Sequence, residues 1–127
     1  MKTEHRPTVL IVDDTPDNIT LLSTLLRDKY NTKVATNGAT ALQIVASSRV
    51  DLVLLDIMMP EMDGFETCRR LKADPQSSAI PVVFLTAKSQ MEDEEMGRSV
   101  GAVDFLRKPV NPAQLFARVA AHLRQIN

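Results

Sequence analysis

The sequence predicts an α/β protein with a five-stranded parallel sheet covered by helices on both faces. Three observations carry that prediction. Thr8–Val12, Leu52–Leu55 and Pro81–Leu85 are continuous apolar runs without alternation, as strands buried on both faces require. Segments with helical spacing of apolar residues separate these runs. A length of 127 residues fits one domain whose core needs no staples.

Each element follows from local chemistry. The first strand, Thr8–Val12, runs into Asp13 and Asp14, and Thr15-Pro16 then reads as an N-cap followed by the first helical residue. Ile19, Leu22 and Leu26, with Leu21 and Leu25 beside them, give a stripe to about Asp28. A more polar strand is expected at Thr32–Thr36. Asn37 caps a helix from Gly38 to Ser47, with Ala41, Leu42, Val45 and Ala46 as its inner face.

The third strand, Leu52–Leu55, ends at Asp56, and Pro60 and Gly64 turn the chain. Asp63 and Glu66 have capping-box spacing and open a helix to about Ala73. The fourth strand ends at Thr86. Ser89 and Glu92 form a second such pair, and the acidic run Glu92–Glu95 reads as a solvated first turn that suits the helix dipole. Gly101 ends that helix. Val103–Leu106 is a last, partly polar strand, and Asn111-Pro112 starts a final helix marked by Leu115, Val119 and Leu123.

Strands alternating with helices imply right-handed crossovers in a parallel sheet. With the three apolar runs central and the two partly polar strands at the edges, the order becomes 2-1-3-4-5. That is the flavodoxin-like order of a three-layer (βα)5 sandwich. Residues 1–127 then form a single domain with a flexible segment at 1–7 and no further domain attached.

Composition narrows the function. A net charge of −1 gives no electrostatic reason to expect nucleic acid as a direct partner. No run approaches the ~18 apolar residues of a membrane span, and the polar N-terminus carries no signal-peptide core. Cys68 is the single cysteine, which excludes an internal disulfide and a CxxC metal motif and fits a cytoplasmic protein.

Ligands of open parallel sheets collect at the carboxyl ends of strands. Those ends bring Asp13, Asp14, Asp56, Thr86 and Lys108 to one rim. Carboxylates so placed repel by about 4 kcal/mol per pair at 4 Å and an effective dielectric near 20. Such a cluster calls for a cation, and oxygen ligands with room for water suit Mg²⁺ or Mn²⁺. A nucleophilic carboxylate, a divalent metal, a lysine and a hydroxyl are the parts that phosphoryl transfer needs.

The motifs I-V-D-D (Ile11–Asp14), L-D-I-M-M-P-E-M-D-G (Leu55–Gly64), F-L-T-A (Phe84–Ala87) and F-L-R-K-P (Phe105–Pro109) complete the pattern. Over nearly its whole length the chain resembles the receiver domain of two-component response regulators. The resemblance implies that Asp56 accepts a phosphoryl group from a phosphohistidine on a sensor histidine kinase or a histidine phosphotransfer protein. It implies Asp14 as the more direct metal ligand, Asp13 as a ligand largely through water, and the Met58 carbonyl as a further one. Lys108 would pair with phosphoryl oxygens, and the Lys108-Pro109 bond would be cis. Thr86 and Phe105 would be the switch, read out by the fourth helix, fifth strand and fifth helix to a downstream effector. The molecule would be a monomer or a weak phosphorylation-dependent dimer, catalysing only its own modification and slow hydrolysis.

Met58 and Lys88 stand at positions expected to tune phosphoryl lifetime, with Met58 shielding the acyl phosphate from water. Met59 and Met62 read as core or docking residues, and Cys68 as packing. Asp104 and Arg118 match part of an ion-pair set used by dimerising receivers, whereas Val103 and Gln114 do not. Cys68–Asp74 and the K-P-V-N-P ending resemble receivers of hybrid kinases and cyclic-dinucleotide enzymes. His5 and His122 read as surface residues. A haloacid-dehalogenase-type enzyme would need an Asp where Met58 stands, and a flavin module would meet repulsion from Asp13 and Asp14. A receiver-like interaction module that is not phosphorylated is the remaining alternative.

Overall fold

The computed structural model of the protein describes residues 6–87 and 91–124, with backbone only at 91, 92 and 124. Strands β1 (Thr8–Val12), β2 (Asn31–Ala35), β3 (Leu52–Asp56), β4 (Val82–Thr86) and β5 (Asp104–Arg107) alternate with helices α1 (Pro16–Leu26), α2 (Gly38–Ser47), α3 (Gly64–Ala73), α4 (Met91–Ser99) and α5 (Pro112–Arg124). The strands pair in parallel in the order β2-β1-β3-β4-β5. The apolar runs are central and the polar strands are the edges, as burial demands.

Alternate residues of each central strand feed separate cores on the two faces of the sheet. Leu10, Val12, Val53, Leu55, Val82 and Phe84 pack with Cys68 and Leu71 on the α2–α3 side. Val9, Ile11, Leu52, Leu54, Val83 and Leu85 pack with Leu22, Leu26, Leu115 and Val119 on the α1–α5 side. At the sheet's opposite end, buried Asp51 accepts the Thr8 amide at 2.8 Å and pairs with Arg49 at 3.1 Å, joining the starts of β1 and β3.

Local expectations need several corrections. Thr15 occupies the N-cap position of α1, but its side chain makes no capping bond; its amide instead donates to Asp13. Helix α1 stops at Leu26 rather than Asp28, and Leu21 is exposed. Strands β2 and β5 are each displaced by one residue from the expected span, because polar edge sequences lack apolar bounds. In α2, Ala46 is exposed and Ile44 packs in its place.

Asp63 accepts the Glu66 amide at 2.9 Å, while the Glu66 carboxylate pairs with Arg69 and Arg70 on its own helix. Arg6 donates to the Arg27 carbonyl and its own carbonyl accepts from Asn31, so residue 6 is tethered. The Pro7 carbonyl accepts the Asn31 amide at 3.0 Å, and residues 1–5 of the expected flexible segment, His5 included, lie outside the described residues. So do Lys88 and Ser89, and the Glu92 side chain.

His122 is not on the surface. Helix α5 turns it inward, where Nε2 lies 2.9 Å from Asp104 Oδ2 and only 14% of the side chain is exposed. Arg118 holds the other Asp104 oxygen. Burial raises the Asp104 pKa, but the bonds from His122, Arg118 and the Phe105 amide outweigh it and hold the carboxylate below its usual range.

Candidate functional site

The rim at the strand ends gathers the expected residues. Asp13 follows β1, and its position is fixed from the backbone outward: its amide donates to the Ala35 carbonyl at 3.1 Å and its Oδ1 accepts the Thr15 amide at 2.9 Å. Asp56 is the last residue of β3 and Thr86 the last of β4; both are buried. Asp14 points to solvent. Lys108 follows β5, its amide donating to the Thr86 carbonyl at 2.7 Å. The Lys108-Pro109 peptide bond is cis.

The loop after β3 folds back tightly onto the end of the strand. The Gly64 amide donates to the Ile57 carbonyl at 2.8 Å, and a Cβ on Gly64 would stand 2.2 Å from the Asp56 carbonyl oxygen. Only glycine permits that approach.

Lys108 Nζ lies 3.1 Å from Asp56 Oδ1 and 3.0 Å from Asp13 Oδ2. The Asp13 contact is ionic attraction without hydrogen-bond geometry, so buried Oδ2 accepts no hydrogen bond among the described residues. Burial pushes the Asp56 pKa up to about 6; the Asp13 charge adds to the rise, and Lys108 opposes it. Burial lowers the Lys108 pKa, but the two carboxylates outweigh it and leave the ammonium above its usual value.

One ligand oxygen from each of Asp13, Asp14 and Asp56 lies within 4.8 Å of the others. A single lysine does not neutralise three carboxylates. The unsatisfied Asp13 oxygen and an all-oxygen donor set therefore fit a small hard cation. The cleft above them holds about 410 Å³ and is lined by Asp14, Asp56, Met58, Thr86, Asp93 and Lys108, among others. Asp93 was not among the expected site residues. It belongs to the acidic first turn of α4, whose composition suits a solvated helix start, and only the approach of α4 to the β3 end brings it to the cleft.

Met58 is 74% exposed at the mouth of this cleft, whereas Met59 is buried in the core. Phe105 is half-buried beside Phe84, its partner in the β4–β5 register, with ring centroids 5.9 Å apart and planes 26° from parallel.

Residues 9–120 match the sequence model of the response regulator receiver domain. The chain is 50% identical over 117 residues to a Vibrio cholerae protein named "Probable cyclic di-GMP phosphodiesterase", covering 92% of this chain and 26% of that protein. It is 45% identical over 117 residues to Response regulator PleD of Caulobacter vibrioides, covering 91% of this chain and 26% of that protein. The chain thus spans about a quarter of the length of these two relatives. Among solved structures, the receiver domain of sensor histidine kinase PA1611 from Pseudomonas aeruginosa superposes with a TM-score of 0.86 at 28% identity, covering 94% of this chain and 98% of that one. It is described with a magnesium ion coordinated in the active-site cleft.

Proposed function

The chain belongs to the response regulator receiver domain family, and from that premise we propose that Asp56 accepts a phosphoryl group from a phosphohistidine on a sensor histidine kinase or a histidine phosphotransfer protein. The observation that carries the reading is the Asp56 carboxylate at the floor of an open cleft, 3.1 Å from Lys108 and beside two further carboxylates. An Asp56 oxygen attacks phosphorus; the new P–O bond forms as the P–N bond to the donor imidazole breaks, and that electron pair stays on the imidazole nitrogen. Lys108 would neutralise charge building on the phosphoryl oxygens.

Asp13, Asp14 and Asp56, with the Met58 carbonyl, would hold Mg²⁺ or Mn²⁺. The ion's charge would stabilise the same phosphoryl oxygens. The magnesium-bearing cleft of the Pseudomonas neighbour supports a cation at this rim. Thr86, at the end of the strand between Asp56 and Lys108, would turn its hydroxyl to the new acceptor oxygens. Phe105 would then hold its inward packing more often, a shift between two existing states.

The output would be the α4–β5–α5 face, where Met96 and Val103 expose apolar surface near Phe105. The relative named for cyclic di-GMP hydrolysis supports an effector in cyclic-dinucleotide chemistry; such an effector would be reached in the cytoplasm through that face. Among the described residues, no helix is long and apolar enough to cross a membrane.

Intact mass after incubation with acetyl phosphate and Mg²⁺ tests the reading. The wild type is expected to gain one phosphoryl group in a metal-dependent way, and Asp56→Asn none. No gain in a folded wild type would leave an interaction module that phosphorylation does not regulate.

A further inference from the structure

Phe105 can lie inward only because the residue facing it on α4 has no side chain. An ideal Cβ on Gly97 would stand 2.7 Å from both Cε2 and Cζ of the Phe105 ring, and 3.0 Å from Cδ2 of Phe84. Carbon atoms attract best at about 3.5–4.0 Å, so one group would have to move.

The possible movers are unequal. Phe84 is fully buried and wedged by Phe65, whose ring centroid is 5.3 Å away at 68°. The backbone of α4 is tied here, since the Gly97 carbonyl accepts the Ala102 amide at 3.0 Å. Phe105 is half-buried on an edge strand, and its ring has solvent to turn into. The neighbouring Arg98 guanidinium lies 5.5 Å from the Phe105 centroid, so the inward ring also holds α4 by cation–π attraction.

We infer that Gly97 is the positioning residue of the switch: its missing side chain makes the inward seat of Phe105, and a methyl group there closes that seat. The inference rests on the proposed role of Phe105 and adds what sets the balance between its two states. Glycine in a helix interior is intrinsically unfavourable relative to alanine. Its use at this contact therefore trades helix propensity for a ring position.

The test is a thermal double-mutant cycle of Gly97→Ala with Phe105→Ala, joined to NMR of the Phe105 ring in the full chain. Gly97→Ala is expected to lower Tm with Phe105 present and to lower it clearly less in the Phe105→Ala background, where only the 3.0 Å approach to Phe84 remains. An equal loss in both backgrounds overturns the contact argument. In the wild type, the ring should show nuclear Overhauser contacts to the Gly97 Hα protons and a shift on adding acetyl phosphate and Mg²⁺. In Gly97→Ala both are expected to be lost, while the mass gain at Asp56 persists. A normal mass gain with an unaltered ring response in Gly97→Ala overturns the inference alone. A wild type that gains no phosphoryl group overturns the functional reading and the switch role with it.

Discussion

Lys108 Nζ reaches across the end of β4 to stand 3.1 Å from Asp56 Oδ1, so the loop after the edge strand is pinned to a central one. This pair concentrates opposed effects at one point. Burial penalises both charges, and their mutual attraction offsets part of that cost.

Removing the lysine exposes the imbalance. Lys108→Met leaves Asp13 and Asp56 buried together without a neutralising cation and is expected to cost about 3–5 kcal/mol at pH 7.5 in metal-free buffer. Urea unfolding measures it. Added Mg²⁺ should recover part of the loss, because a cation at the carboxylates replaces the missing charge; phosphorylation should remain impaired.

Removing the carboxylate acts in the opposite direction. The folded pKa of Asp56, about 6, lies above its ordinary 3.8. The folded state thus binds this proton more tightly, and stability falls as pH rises through that window. Asp56→Asn is expected to stabilise the metal-free protein at pH 7.5 on the order of 1–3 kcal/mol. The gain should vanish near pH 4, where the wild-type carboxyl is protonated. Paired urea titrations at the two pH values check the sign.

Met58 overhangs the cleft with most of its surface in solvent. Met58→Asn replaces an apolar cover by a side chain able to orient water, and should shorten the phosphoryl half-life several-fold without altering stability. The decay of the phosphorylated mass after donor removal reads this out; an unchanged half-life would exclude shielding by Met58.

Cys68 is fully buried, and burial pushes its thiol pKa up to about 11. At pH 8 the native protein should resist a thiol-specific disulfide reagent, and labelling should follow unfolding by denaturant. Rapid labelling of the native state would contradict the packing role.

Most of the architecture was legible because the central strands carry one signal twice. Leu52–Leu55 is apolar at every position, which only burial on both faces explains, and the acidic residues at the strand ends then fall on one rim. The sequence was less informative where a contact joins distant segments. His122 and Asp104 are 18 residues apart, on a helix and an edge strand, and no spacing rule links them. Asp93 resembles any acid in a first helical turn. Gly97 carries no pattern at all; its meaning lies in the Phe105 ring opposite. The polar edge strands β2 and β5 were each misplaced by one residue, since no apolar run marks where they begin.

The sheet also acts as a partition. Leu10 and Phe84 belong to one core, Ile11 and Leu85 to the other, and side chains from the two cores are separated by backbone. Free-energy changes from substitutions more than about 7–10 Å apart with no shared partners add nearly independently. Substitutions in the core beneath α1 and α5 are therefore expected to add with those at Phe84, except through Asp104, which Arg118 and His122 of α5 tie to the strand that carries Phe105.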